Sequence, residues 1–327
     1  MRVLFAASPA IAVPCLNALC SMELDGTGIV LAGILTNPDR PHKHGHSEPT
    51  DISRAALQLD TLRRERGLES IPQLKPETLN EDARGEVAAL KPDVLVSFAY
   101  GSIFGPRFLA LFKRGAINIH PSLLPKYRGA TPIPASILAQ DTETGISIQK
   151  LALQMDEGDI LLQERFPLSR KETTLSLSET VAEKSAKLLT QTLLDFDAYL
   201  AAAAPQTGEA SYCSRITKAD GQINWKKSAL AIDAQIRAYT PAPLSCTSFG
   251  KAALLILEAA PFYGSAPGTG EQAAGTVLGT DKGSGVLIQT GDGILAVSRL
   301  QLQAKKALDW KAFCNGVRDF VGVQLGS

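Results

Sequence analysis

Long apolar runs are missing from this sequence of 327 residues. A helix needs about 20 consecutive apolar residues to cross a bilayer, and no segment approaches that length. The apolar N-terminus carries one arginine and is interrupted by Pro9 and Pro14. We therefore interpret it as a buried strand and a turn rather than a signal peptide, and we expect no membrane partner.

Cysteine is also scarce: its five residues are an odd number and include no Cys-x-x-Cys pair. This pattern argues against a disulfide framework and a structural zinc site, and it favours a reducing compartment such as the cytoplasm. The chain has no net formal charge. Its total charge therefore does not indicate a nucleic-acid or membrane partner.

Four short apolar segments have the composition of strands buried on both faces of a parallel sheet. They cover residues 2–7, 29–36, 93–100 and 115–120, and helix-like segments separate them. One of these helices should begin after Thr50, a good N-cap, and end at Gly67. The alternation predicts a doubly wound α/β domain with a mostly parallel sheet. Two further strands and a long amphipathic helix spanning Val181 to Tyr199 complete it.

The composition changes near residue 200. Residues 201–212 are rich in alanine and small polar residues, which is typical of a linker, and short strands with glycine-rich turns follow. Such spacing predicts a small β-barrel, similar to an OB fold. We therefore expect an α/β domain over residues 1–200, a linker over 201–212 and a barrel over 213–327.

Charge is divided unevenly at the same boundary. Residues 213–327 contain 12 lysines and arginines and 8 acidic residues, whereas residues 1–212 contain 21 and 25. A basic module can bind a phosphate backbone, or it can simply present a solvated surface. Charge alone leaves both interpretations open.

Asn118 and His120 stand two residues apart at the end of the fourth predicted strand. They should face the same way, because strand side chains alternate, and open α/β sheets bind ligands beyond the carboxyl ends of their strands. An asparagine amide can donate to an oxyanion, and a histidine can exchange a proton near neutral pH. The spacing fits a reaction centre and a hydrogen-bonded turn equally well.

A carboxylate to orient the histidine is available in the turn at residues 155–159, which holds Asp156 and Asp159. Acidic turns are common, so this one gains meaning only beside Asn118 and His120. No Ser-His-Asp, Cys-His or Gly-x-Gly-x-x-Gly motif competes with this group.

Three motifs together resemble the folate-dependent formyltransferase family: NIHPSLLPKYRGATPI from Asn118, AYG from Ala99 and MDEGD from Met155. The similarity continues in TNPDRP, INWKKSALAIDAQIRAYTPAP and TGDGILAVSRLQLQAKKA, and so covers nearly the whole chain. The resemblance implies a formyltransferase-like variant of the Rossmann fold. The C-terminal segments are similar to family members that act on methionyl initiator tRNA.

The resemblance also implies a reaction. The α-amine of methionine esterified to initiator tRNA attacks the formyl carbon carried by 10-formyltetrahydrofolate, and N-formylmethionyl-tRNA for translation initiation is the product. Asn118 would hold the oxyanion, His120 would handle the proton or stabilise charge, and Asp156 would hold the imidazole and help to deprotonate the amine. Which group is the formal base is left open. No metal is required, because a deprotonated amine is already a nucleophile.

Binding residues follow from the same resemblance, for a chain that we expect to be a monomer. The residues expected to bind folate are Ser122, Leu123, Leu124, Pro125, Tyr100 and Gly101. The residues expected to bind tRNA are Arg40, His42, Lys43, His44, Arg128, Lys218, Lys305 and Lys306.

Two alternatives share parts of this evidence. A formyltransferase could act on a small amine, either a glycinamide ribonucleotide or a nucleotide sugar, although the first kind would end soon after the catalytic domain. A non-catalytic RNA- or folate-binding protein could retain a relic site. The presence of Asn118, His120 and Asp156 together argues against the relic.

Three of the four histidines alternate within the loop at residues 42–46, around Lys43. Such a loop can be merely solvated, can bind tRNA with a charge that depends on pH, or can bind metal, although its spacing fits no standard zinc site.

If these histidines help to capture tRNA, replacing His42, His44 and His46 with alanine should raise the KM for methionyl-tRNA. The increase should be larger at about pH 6 than at about pH 8, because protonation adds positive charge that attracts phosphates. Steady-state kinetics at both pH values measures this. An unchanged KM at both would reject the hypothesis.

Overall fold

The computed structural model describes residues 1–41, 47–265 and 272–326, so the histidine loop at residues 42–46 lies outside it. The chain forms two compact units. The first contains Met1–Pro132, Glu143–Pro167 and Ser178–Ser214, and the second contains Ile133–Thr142, Leu168–Leu177 and the chain from Arg215 onwards.

In the first unit, strands and helices alternate along the chain. The strands are β1 (Arg2–Ala7), β2 (Val30–Leu35), β3 (Arg40–Pro41), β4 (Ser47–Glu48), β5 (Gln73–Leu74), β6 (Val94–Phe98), β7 (Ala116–His120), β8 (Arg128–Gly129), β9 (Glu143–Lys150), β10 (Ile160–Pro167) and β11 (Tyr212–Cys213). The helices are α1 (Val13–Leu24), α2 (Asp51–Glu65), α3 (Glu81–Ala89), α4 (Pro106–Leu109), α5 (Pro132–Leu138), α6 (Thr174–Leu194) and α7 (Phe196–Ala201). Most of α5 and the first turn of α6 belong to the second unit.

Seven strands form the main sheet in the order β10-β9-β7-β6-β1-β2-β5. The neighbouring strands β5, β2, β1, β6 and β7 run parallel to one another, whereas β9 runs antiparallel to both β7 and β10. This is the expected doubly wound, mostly parallel sheet. Asn118 and His120 of β7 pair with Gln149 and Ser147 of β9, which places polar residues from both strands side by side.

The apolar segments became strands because they bury on both faces, as in β1, where every residue after Arg2 is buried. Polar side chains begin the helices: Thr50 Oγ1 accepts a hydrogen bond from the Ser53 amide (3.1 Å) at the start of α2. The predicted start of this helix is confirmed, and it ends at Glu65, two residues before Gly67. A row of stacked rings, Tyr100, Phe104, Phe108 and Phe112, fills the core beneath β6.

The second unit contains one antiparallel sheet. Its elements are α8 (Ala229–Ala238), β12 (Ser245–Phe249), β13 (Ala252–Phe262), β14 (Val277–Asp281), β15 (Gly285–Gln289), β16 (Ile294–Leu302), β17 (Leu308–Asp309) and α9 (Trp310–Gly316). The strand order is β12-β13-β16-β15-β14, with β17 on β16. The C-terminal segment bonds to both edge strands: Val277 N donates to Val323 O (2.9 Å), and Gly326 N donates to Ser248 O (3.0 Å). These bonds give the barrel-like domain that the short strands predicted.

Two details of the chain differ from the sequence-based expectation. The long helix predicted across Val181 and Tyr199 is two helices, α6 and α7, which are separated at Asp195. Residues 201–212 are not a free connection, because Ala204 pairs with Ile160 and β11 pairs with β8. No helix in the described part of the chain is long and apolar enough to cross a membrane.

The N-cap of α2 offers a test of local stability. Thr50→Ala should lower the free energy of unfolding by about 1–2 kcal/mol, because Ser53 N loses its acceptor and Thr36 Oγ1 loses a partner at 2.8 Å. Thr50→Ser should retain most of the parent's free energy of unfolding. Thr61→Ala, on the exposed face of the same helix, should change it by less than about 0.5 kcal/mol. Urea denaturation of the three variants measures the difference, and equal values for Thr50→Ala and Thr61→Ala would contradict this role.

Candidate active site

The register of the sheet assembles the reaction centre from two strands and one turn. Asn118 and His120 at the end of β7 pair with Gln149 and Ser147 of β9. Since side chains two residues apart share a face, these four polar groups lie together. The turn between β9 and β10 carries Asp156 to the same place.

Asp156 is held by donors on both of its carboxylate oxygens. Its Oδ1 accepts from Gln149 Nε2 (3.0 Å) and, more weakly, from Asn118 Nδ2 (3.5 Å). Its Oδ2 accepts from Gly129 N (2.8 Å) and lies 3.6 Å from His120 Nδ1. The backbone of Asp156 has a positive φ of 57°, which is uncommon for a residue other than glycine. The turn is therefore shaped to deliver this carboxylate.

The tautomer of neutral His120 follows from its partners. His120 Nε2 lies 2.9 Å from Tyr127 O, and a carbonyl can only accept, so Nε2 carries the proton. The lone pair is then on Nδ1, which faces Asp156. A proton that arrives at Nδ1 meets a carboxylate at ion-pair distance, so the charged ring is stabilised only after proton transfer.

Burial decides the charge of this ring at neutral pH. His120 is almost completely buried, and the loss of solvent lowers its pKa, while the Asp156 carboxylate and the hydrogen bond to Tyr127 O oppose this in part. The net effect is a pKa below the usual value of about 6.5. His120 is therefore neutral at neutral pH, with the Asp156 carboxylate beside it.

The loop after β7 is fixed by hydrogen bonds from one of its own side chains and from side chains of β9 and β10. Ser122 Oγ donates to Lys126 O (2.6 Å), and Ser147 Oγ donates to Ser122 O (2.6 Å). Gln163 Nε2 donates to Leu124 O (3.0 Å). These bonds hold the loop beside His120 without using Asn118 or the Nδ1 edge of the histidine.

The expected folate-binding residues have two different environments. Ser122, Leu124 and Pro125 are buried in the loop, whereas Leu123 is partly exposed and packs against Gly145. Burial raises the pKa of Tyr100 to about 12, and its ring stacks on Phe104 in the core. Gly101 is exposed in the loop that follows. Contact with folate stays a prediction for all six residues.

The expected tRNA-binding residues are also divided. Arg40, Lys218, Lys305 and Lys306 are exposed, whereas His42, Lys43 and His44 lie outside the described residues. Arg128 is largely buried and bonds to protein groups: Glu157 Oε1 (2.8 Å), Tyr212 OH (3.0 Å) and Gln206 Oε1 (2.8 Å). Arg128 therefore has partners within the protein, and its contact with tRNA stays a prediction.

Sequence reasoning missed Gln149, Gly129 and Gln206 as parts of the centre. Gln149 could have been found, since Ser147 and Gln149 are polar residues at alternate positions of an apolar strand. Gln206 gave no signal within an alanine-rich segment. Cys213 also approaches the loop, with Sγ 3.4 Å from Tyr127 O, but burial raises the pKa of its thiol. It is therefore protonated at neutral pH and is not a nucleophile.

Family models match both parts of this architecture. Residues 1–193 match the model described as formyl transferase, and residues 215–318 match the formyl transferase C-terminal domain. The chain belongs to the formyltransferase family, which confirms the expectation from its motifs.

The chain is also similar to individual proteins. The chain is 48% identical to the methionyl-tRNA formyltransferase of Treponema denticola over 98% of each chain. It is 36% identical to that of Borrelia turicatae over 98% of this chain and 99% of the relative. Its fold is similar to that of WlaRD, a sugar 3N-formyltransferase solved in the presence of dTDP and 5-N-formyl-THF, with a TM-score of 0.61 and 19% identity over 94% of this chain and 99% of that chain.

Gly129 tests how tightly the centre is built. A Cβ at Gly129 would lie 2.2 Å from Cys213 O, and its φ is +115°. Gly129→Ala should therefore destabilise the protein by more than about 2 kcal/mol and displace the N–H that binds Asp156. Gly115→Ala is the matched control, because φ is +99° there but no atom lies within 4 Å of the added Cβ. Denaturant unfolding compares the two, and equal losses of stability would show that the close approach is unimportant.

Proposed function

We propose that this protein transfers the formyl group of 10-formyltetrahydrofolate to the α-amino group of methionyl initiator tRNA, and so makes N-formylmethionyl-tRNA for translation initiation. One observation carries this function: the similarity to methionyl-tRNA formyltransferases extends over 98% of both chains, with 48% identity. The second unit is thus part of the match. A cytoplasmic location and a monomeric state belong to the same proposal.

The chemistry proceeds through attack of the amine nitrogen on the formyl carbon. Asn118 Nδ2 has two hydrogens and gives at most one of them, over 3.5 Å, to Asp156. The other hydrogen is free to bind the oxygen of the formyl group as it becomes negatively charged. Asn118 is partly exposed, as a group that meets substrate must be.

The proton of the attacking amine goes to His120 Nδ1, because Nε2 already carries a hydrogen that is bonded to Tyr127 O. The imidazolium that forms is paired with Asp156, so burial no longer disfavours it as strongly. The carbon–N10 bond of the folate then breaks, and the same proton can return to N10. Asp156 thus acts by stabilising the charged ring, and His120 is the base.

The donor substrate fits the character of this centre. A formyl group is small and neutral, and the centre offers it one amide donor beside a neutral imidazole. Leu123, the partly exposed leucine of the loop, supplies apolar surface for a ring system. WlaRD was solved with 5-N-formyl-THF, which supports a tetrahydrofolate donor for this fold.

The acceptor is supported by the second unit. Lys218, Lys305 and Lys306 are exposed there and have no ion-pair partner among the described residues. They can attract tRNA phosphates, and their contribution should weaken with salt. The alternative acceptor is a nucleotide sugar, because WlaRD is a sugar formyltransferase with a similar fold. At 19% identity, that similarity concerns the fold alone.

A direct assay tests the function. The protein should convert 10-formyltetrahydrofolate and methionyl-tRNA into formylmethionyl-tRNA, and dTDP-linked amino sugars should give no product. Asn118→Ala should lower kcat about 10²–10³-fold through loss of the oxyanion donor. His120→Ala should lower it about 10²–10⁴-fold through loss of the base. Turnover on the sugar instead, or rates near the parent's in both variants, would overturn the proposal or these roles.

The depressed pKa of His120 predicts a particular pH profile. A base whose pKa is lowered stays neutral further into acid, so the loss of kcat that protonation of His120 causes should begin only below the usual histidine value of about 6.5. The parameter kcat/KM also falls as the α-amine of the substrate is protonated, near its usual pKa of about 7.7–8.0. In Asp156→Asn the carboxylate that raises this pKa is absent, so the acid limb should move to lower pH while the maximal rate drops. Rates measured across the acid range check this. An acid limb of kcat at the same pH in the parent protein and in Asp156→Asn would contradict the neutral-base assignment.

A further inference from the structure

Gln206 lies between a charged anchor and the turn that carries Asp156. Its Oε1 accepts from Arg128 Nε (3.1 Å) and Arg128 Nη2 (2.8 Å). Its Nε2 is within bonding distance of Asp156 O (2.7 Å), Gly158 O (2.9 Å) and Gln149 Oε1 (3.3 Å). The side-chain amide of Gln206 therefore contacts two residues of the turn, Asp156 and Gly158, and Gln149 of strand β9.

The orientation of this amide is forced by chemistry. Arginine can only donate, so the end of Gln206 that faces Arg128 must be the oxygen. Its nitrogen then faces three oxygens, which can only accept. Arg128 is itself fixed, because Glu157 Oε1 accepts from its Nη1 and the ring of Tyr212 lies 5.8 Å from its guanidinium carbon.

The orientation passes on to Gln149, which is almost completely buried. Asp156 Oδ1 can only accept, so the end of the Gln149 amide that faces it is the nitrogen, and Gln149 Oε1 is left to face Gln206 Nε2 at 3.3 Å. With Oδ1 occupied in this way, Oδ2 is left for Gly129 N and His120 Nδ1. A series of amides thus determines which carboxylate oxygen faces the histidine.

We propose that Gln206 is a positioning residue for formyl transfer: it holds the left-handed turn at Asp156 and, through Gln149, orients the Asp156 carboxylate toward His120. Gln206 itself does not touch the reacting atoms. The turn needs such a clamp, because Asp156 has φ +57°, a strained conformation that persists only where its surroundings impose it. The proposal rests on the reaction assigned above, although its structural part does not.

The other titratable or charged groups of this network are Arg128, Glu157, Tyr212 and Cys213. Arg128 and Glu157 are paired at 2.8 Å, and Tyr212 OH donates to Glu157 Oε1 (3.1 Å). The thiol of Cys213 is protonated at neutral pH. Asp156 is therefore the carboxylate whose orientation the titration of His120 reports.

The sequence allows that titration to be observed directly. Three of its four histidines are His42, His44 and His46. When all three are replaced with alanine, His120 is the single histidine, and its imidazole can be followed by NMR with ¹³C-labelled histidine in the full-length protein. The variants to compare in this background are Gln206→Met, which keeps the length of the side chain without its donor, and Asp156→Asn, which removes the charge.

Gln206→Met should lower the titration midpoint of His120 part of the way toward the value in Asp156→Asn, because the carboxylate turns away from the ring. Combined with Asp156→Asn, it should add no further shift, since it acts through Asp156. Gln154→Met is the matched control, an exposed glutamine two residues before Asp156, and it should leave the midpoint unchanged. An unchanged or raised midpoint in Gln206→Met, with only a lower Tm, would overturn positioning and leave a merely structural role.

Kinetics supplies the second readout. Gln206→Met should lower kcat roughly tenfold to a hundredfold, as a misplaced catalytic group does, while the KM for methionyl-tRNA changes less than threefold. A change confined to KM would overturn the proposal. If the parent protein formed no formylmethionyl-tRNA at all, the function would fail, but the NMR titration would still decide whether Gln206 positions Asp156.

Discussion

The carboxylate of Asp156 is the group on which the reaction centre depends. It receives donors from β9, β8 and β7. Among the described residues it is the only partner within ion-pair distance of His120 Nδ1. Because a carboxylate can only accept, each of these donor groups must direct an N–H toward Asp156. The left-handed backbone at Asp156, the missing side chain at Gly129 and the clamp at Gln206 all serve to place this one group.

The burial of His120 determines how the Asp156 carboxylate affects the charge of the ring. A solvated histidine would be partly charged near neutral pH, and a buried one without an acid partner would resist accepting a proton. His120 combines the two conditions: loss of solvent keeps the ring neutral before reaction, and Asp156 offers a counter-charge once Nδ1 is protonated. The hydrogen bond from Nε2 to Tyr127 O removes the competing tautomer. The ring is thus prepared for one proton transfer at one nitrogen.

Local patterns predicted the parts of this protein that local physics determines. Apolar runs predicted β1 and β7, Thr50 predicted the start of α2, and the alternation of strand residues predicted that Asn118 and His120 share a face. Arg128 was expected to contact tRNA from the resemblance to the formyltransferase family, and its partners within the protein are not visible in the sequence. Its partners Glu157, Gln206 and Tyr212 lie 29, 78 and 84 residues away. The same separation hid Gln206, since only the folded chain brings residues 203–213 back onto β8 and β10.

This arrangement separates the chemistry from the choice of acceptor. Every contact described at the centre comes from residues of the first unit, including those once expected to be a linker. A centre made of an amide, a neutral imidazole and a carboxylate holds the groups that the proposed formyl transfer to an amine requires, and none of them is specific for one amine. WlaRD, a sugar formyltransferase, has a similar fold. Discrimination must then depend on what delivers the amine. In the proposed function the basic second unit attracts the phosphates of an RNA acceptor, and His120 and Asp156 of the first unit carry out the transfer.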